Sequence, residues 1–102
     1  MSDKTEDARE EVRWFATAME KALKENDHKP GWHNSRIAYL IRRLDQEVLE
    51  LKEAAGLTCS QCGAFVKKGS SYRPDNRSRI LHECVDVANF AMMIADNFGR
   101  AR

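Results

Sequence analysis

No stretch of this sequence is long and apolar enough to cross a bilayer, which takes about 20 consecutive apolar residues. An excess of one charge is also missing. Seventeen Lys and Arg face sixteen Asp and Glu, for a net charge of +1, so the basic surplus expected of a general nucleic-acid binder is not there. The N-terminal MSDKTEDAREE is acidic and polar, unlike a signal or transit peptide. With no export signal, the three cysteines are expected as reduced thiols or metal ligands rather than as a disulfide framework. The expected compartment is the cytoplasm, that of an infected host if the gene is viral. The 102 residues suit one small domain spanning 1–102, near the size at which a single core becomes adequate.

What is present is helical periodicity. Asp7 to Lys24 places Val12, Phe15, Met19, Ala22 and Leu23 at helical spacing and ends in the breaker stretch ENDHKPGW. Ser35 is the expected N-cap of a second helix from Arg36 to about Ala55, with Gly56 where a C′ glycine belongs. Its apolar stripe is Ile37, Leu40, Ile41, Leu44, Val48 and Leu51. A polar loop, 56–75, follows, and a third helix runs from about Arg77 to Phe98, with Pro74 and Asp75 at its start and Gly99 at its exit. No repeat and no convincing strand is found, so the class is all-α. Leu81, Cys84, Val85, Val87, Ala88, Ala91, Met92, Ile94 and Ala95 cover roughly 180° of the third helix. A helix this apolar needs partners on two sides. Three helices hardly supply them, so a homo-oligomer that completes the core is expected.

Against that apolar helix stand Glu83 and Asp86, in ECVD, and the second helix carries Glu47 and Glu50, in EVLE. Each pair is spaced i, i+3 and projects from one face, at the margin of the core. A carboxylate beside packed apolar groups is costly unless compensated. If the helices pack antiparallel, four carboxylates gather, and protons or cations must neutralise them. An oxygen-only ligand set selects Mg²⁺ or Mn²⁺ over zinc, and the matching chemistry is metal-assisted hydrolysis of a phosphoanhydride. The plainer alternative is two solvated acidic pairs.

EVLEL followed by ECVDVANFAMMIAD, with KENDHKPGW ahead of the first motif, resembles the MazG-like all-α nucleoside triphosphate pyrophosphohydrolases over about residues 12–98, apart from the 56–75 loop. The resemblance implies a helical bundle completed by oligomerisation as a dimer or dimer-based tetramer. It implies Mg²⁺-dependent cleavage between the α and β phosphates, giving the monophosphate and pyrophosphate, in nucleotide-pool control that includes phage-encoded members. Carried over to this chain, Glu47, Glu50, Glu83 and Asp86 hold the metal, and Glu47 or Glu50 orients or deprotonates the attacking water. Asn89, one i+3 step beyond Asp86, reaches the metal or a phosphate, or else bonds only to water. The look of the family's purine-directed branch favours dGTP or dATP. One departure is Gln46, where many relatives carry a further glutamate. Another is the long segment between the motifs, with its cysteine pair.

That pair, Cys59 and Cys62 in CSQC, has zinc-knuckle spacing, but a structural zinc needs four ligands; the expectation is an ordinary loop with two reduced thiols, or else a zinc shared by the CxxC pairs of two subunits. His82 and Cys84 are available in sequence, although Cys84 reads more simply as a small core residue. Trp32, in KPGWHN, is either a platform for a nucleobase, with Asn26, His33 or Asn34 reading the polar edge, or an anchor that pins the loop to the bundle. Trp14 and Phe15 read as core or interface residues. Of Lys67, Lys68, Arg73, Arg77 and Arg79, Arg79 is best placed to meet a triphosphate, being one turn before Glu83. Arg100 and Arg102 fall in a tail expected to fray. The rival functional class is a non-catalytic helical interaction module with a zinc-binding CxxC loop.

Overall fold

A computed structural model describes residues 7–56 and 76–101. The expectations for Cys59, Cys62, Lys67, Lys68, Arg73, Pro74, Asp75 and Arg102 fall outside those residues. The described chain is all-helical: α1 (Glu10–Glu25), α2 (Ile37–Ala54), and α3 (Arg77–Ile94), which continues into a π-helical turn, Ala95–Gly99. No strand occurs among the described residues, and none of the described helices is long and apolar enough to cross a membrane.

The helix ends follow from local hydrogen bonding. α1 starts three residues later than Asp7, because the Arg9 carbonyl accepts the first N–H groups, from Val12 and Arg13, both at 3.1 Å. Glu10 and Glu11 in its first turn and Lys24 in its last match the helix dipole. α2 is not capped by Ser35. The Ser35 N–H closes a turn onto the Trp32 carbonyl at 2.9 Å, and the first helical bond runs from the Leu40 N–H to the Arg36 carbonyl at 3.1 Å; the N-cap is therefore Arg36, extended and without a side-chain bond. The other end is as expected, with Gly56 at φ +74°, a left-handed conformation that glycine adopts without a Cβ clash.

α2 and α3 run antiparallel. The Asn76 amide at the start of α3 donates to the carbonyl of Ala54 at the end of α2, at 3.2 Å. Further along, the Arg43 guanidinium of α2 lies 5.2 Å from the ring centre of Phe90 on α3. α1 joins them through Asn89, whose amide donates to the Met19 carbonyl at 3.2 Å.

The core is thin. Among the described residues the fully buried apolar side chains are Leu40, Ala54 and Val85, and α1 buries none. Of the nine residues in the apolar arc of α3, Val85 alone is buried, while Ala91 and Ala95 are exposed and the rest half-buried. Trp14 is 59% exposed and Phe98 50%, with Val12, Ile37, Tyr39, Ile41 and Leu49 also open to solvent. A fully buried large apolar side chain contributes about 1.5–3 kcal/mol, and these seven described side chains make little use of that within one copy.

Candidate metal centre and adjoining cleft

The antiparallel packing of α2 on α3 sets EVLE across from ECVD. Glu47, Glu50 and Glu83 each bring one carboxylate oxygen to within 4.8 Å of the others. His82, Glu83 and Asp86 do the same with one ring nitrogen and two carboxylate oxygens, and His82 Nε2 lies 3.3 Å from Asp86 Oδ2. Glu83 belongs to both groups, so all four carboxylates form one constellation.

Two of them are more than nine-tenths buried, Glu47 at 6% exposure and Glu83 at 8%. On each, Oε2 is inaccessible and has no hydrogen-bond donor. An ionised carboxylate left this way costs several kcal/mol, and the electrostatics register that cost. The Glu47 carboxyl is pushed up to about 7, first by burial, then by a proton shared with Glu50 and by repulsion from Glu50 and Asp86, against the opposing pull of Arg43. Glu83 is raised by burial and by Glu50 and Asp86, and Asp86 is raised mainly by burial.

The group that fits this constellation is a hard divalent cation. It would supply the orphaned Oε2 atoms with a partner and cancel the repulsion, and the buried donors are oxygens, which suit Mg²⁺ or Mn²⁺. A carboxyl whose folded-state pKa is raised stabilises the fold below its unfolded pKa, and that stability is lost as pH rises through the folded value. For Glu47 the loss runs from about 4.5 to about 7.

Beside the acids opens a cleft of about 730 Å³, within the range of small-molecule sites. Glu47 and Asp86 line it together with Arg43, Asn89, Phe90 and Trp32. Asn89 is 5% exposed. Its amide nitrogen is committed to Met19, while its Oδ1 is buried without a donor. The residue therefore bridges α1 and α3, and it is not the water-bonded surface amide that was one of its two expected roles.

Trp32 is held by its edge. Its indole N–H donates to Asp96 Oδ2 at 3.0 Å, and its carbonyl accepts from the Asn97 amide at 2.7 Å. Its ring stacks on His33 with centroids 5.1 Å apart, and His33 Nε2 lies 3.7 Å from the same Asp96 oxygen. Asp96, 8% exposed, also accepts from the Arg100 guanidinium. Arg100 is thus tied back and not part of a frayed tail. The π-helical turn is what presents Asp96 and Asn97 to this loop. Trp32 is thereby fastened to the π-helical turn, and it also forms a wall of the cleft.

Asn26 lines the cleft too, with its amide donated to the Ala22 carbonyl at 3.0 Å. Arg79 is exposed on α3 and is not among the residues lining the cleft. Cys84 is a half-buried free thiol, in keeping with a packing role. Arg43 and Asp96 are absent from the sequence reading. Their signal was available: each belongs to an i, i+4 ion pair, Arg43–Glu47 at 3.1 Å and Asp96–Arg100. Compared with protein-family models, curated proteins and solved structures, the chain finds no match.

Proposed function

We propose that this chain is a Mg²⁺-dependent nucleoside triphosphate pyrophosphohydrolase of MazG-like type, acting on (deoxy)nucleoside triphosphates to give the monophosphate and pyrophosphate. The observation that carries the reading is the pair of buried glutamates, Glu47 and Glu83, each with an orphaned oxygen, at the edge of a cleft of nucleotide size. Glu47, Glu50, Glu83 and Asp86 would hold the cation, which supplies charge neutralisation for phosphate oxygens and acidifies water when bound.

The chain's own residues do the rest. Glu50 is exposed beside the buried acids, where it can accept a hydrogen bond from the attacking water and orient it. Asn89 lines the cleft beside Asp86, within the part a sugar or base would occupy. Trp32 and Phe90 supply aromatic surface in the cleft. A purine triphosphate, dGTP or dATP, is favoured on the resemblance, and the setting is nucleotide-pool control in the cytoplasm, including that of a phage-infected host.

The test is direct. With Mg²⁺ and each dNTP in turn, the protein should release pyrophosphate and the matching monophosphate, fastest with a purine. If no dNTP yields pyrophosphate while the protein carries stoichiometric zinc, the rival interaction module gains.

The exposed Trp14, Ile41 and Phe98 support association into a dimer or a dimer-based tetramer. Light scattering on a sizing column should give twice or four times the 11.7 kDa chain mass. Trp14→Glu should lower that mass if α1 lies in the interface. A wild-type mass equal to one chain would sink the association.

A further inference from the structure

Arg43 stands at the junction of the two halves of the cleft, with the carboxylates on one side and the apolar wall on the other. Nη2 donates to Glu47 Oε1 at 3.1 Å, the guanidinium lies 5.2 Å from the Phe90 ring centre, and Nε is buried with no acceptor. Lys29 is the other cationic side chain on the cleft wall, on an exposed loop. A guanidinium presents its donors as a planar fork matched to carboxylate and phosphate. Here one arm of the fork is used, an inner donor is unsatisfied, and the Phe90 ring lies beneath the guanidinium.

We infer that Arg43 is the polyphosphate clamp of this cleft: it is the counterion of Glu47 when no cation is bound, and the donor to a phosphate oxygen when one is. This rests on the nucleotide reading of the cleft. The logic is electrostatic. Four carboxylates repel a polyphosphate, so a cation must neutralise them before the anion can enter. Glu47 would then be neutralised by the bound cation instead of by Arg43, leaving the Arg43 fork free for the anion. Arg43 therefore competes with the metal and cooperates with the phosphate, and a purely structural ion pair would do only the first.

Two measurements separate these roles. The first is Mn²⁺ affinity without polyphosphate, read by electron paramagnetic resonance. The second is binding of tripolyphosphate in saturating Mg²⁺, read by calorimetry. Arg43→Met should bind Mn²⁺ as tightly as wild type or a few-fold more tightly, and tripolyphosphate at least about tenfold more weakly, as expected for a lost charge-assisted hydrogen bond. Arg43→Lys keeps the charge without the fork and should fall between. The inference is overturned if wild type fails to bind tripolyphosphate or if Arg43→Met binds it within twofold of wild type. It also falls if Arg43→Met loses Mn²⁺ as severely as tripolyphosphate. If Arg43-dependent binding is found but no dNTP yields pyrophosphate, the clamp stands and the enzymatic reading falls. Hydrolysis with KM unchanged in Arg43→Met gives the reverse.

Discussion

Changing Glu83 to Gln should abolish dNTP turnover, by at least about a thousandfold, and at the same time make the folded chain more stable at alkaline pH. The two effects share one cause. Glu83 is buried at 8% exposure with an oxygen that nothing satisfies, and burial and its acidic neighbours raise its pKa. Above the folded-state pKa the carboxylate is charged in both states, and the folded state bears the repulsion. An amide of the same shape carries no charge, and its N–H₂ can donate to the carboxylates around it. The gain should be about 1–3 kcal/mol, measured by urea unfolding at pH 8, and should shrink as pH falls and the raised carboxyls take up protons. Mg²⁺ should raise the melting temperature of wild type at pH 8 more than at pH 5, and should leave Glu83→Gln nearly unmoved. A variant that still turns over, or one that loses stability at pH 8, would remove Glu83 from the centre.

Asp96→Ala should cost about 2–4 kcal/mol and loosen the 26–35 loop. Asp96 is buried and accepts from Trp32 and Arg100, with His33 beside it. Removing it leaves the indole N–H without its acceptor and frees the chain end at Arg100. Because the core is thin, this side-chain network is a large part of what holds the loop to α3. The protein has two tryptophans, so in a Trp14→Phe background Trp32 is the sole reporter. Its emission should shift to longer wavelength in Asp96→Ala, while Asp96→Asn, which keeps an acceptor oxygen, should recover part of the stability. Unchanged emission and stability would mean that the network is incidental.

Much of this arrangement could be read before any coordinates were known. Helical periodicity, Gly56 as the end of α2, and the two i, i+3 acid pairs on core margins all follow from rules acting within one turn or one helix face. The carboxylate on an apolar helix was a sound clue, and it applied equally to Asp96, flanked by Ile94, Ala95 and Phe98, where it was not used. The Ser35 cap failed because the first helical N–H, from Leu40, bonds to the Arg36 carbonyl, one residue further on than a propensity rule placed the helix start. Trp32 could not be resolved between platform and anchor because its partner lies 64 residues away.

The amino-acid order alone thus settles the class, the three main helices among the described residues and the types of residue able to do chemistry. Those are short-range properties, set by periodicity, backbone freedom and side-chain charge. Which acids become buried, that Arg43 reaches both Glu47 and Phe90, and that a π-helical turn fastens Trp32 are decided by how α2 and α3 cross and where the loop docks. Burial and long-range contact belong to the packed chain. A carboxylate's pKa follows them because the desolvation and the neighbouring charges that raise it exist only once the helices have met.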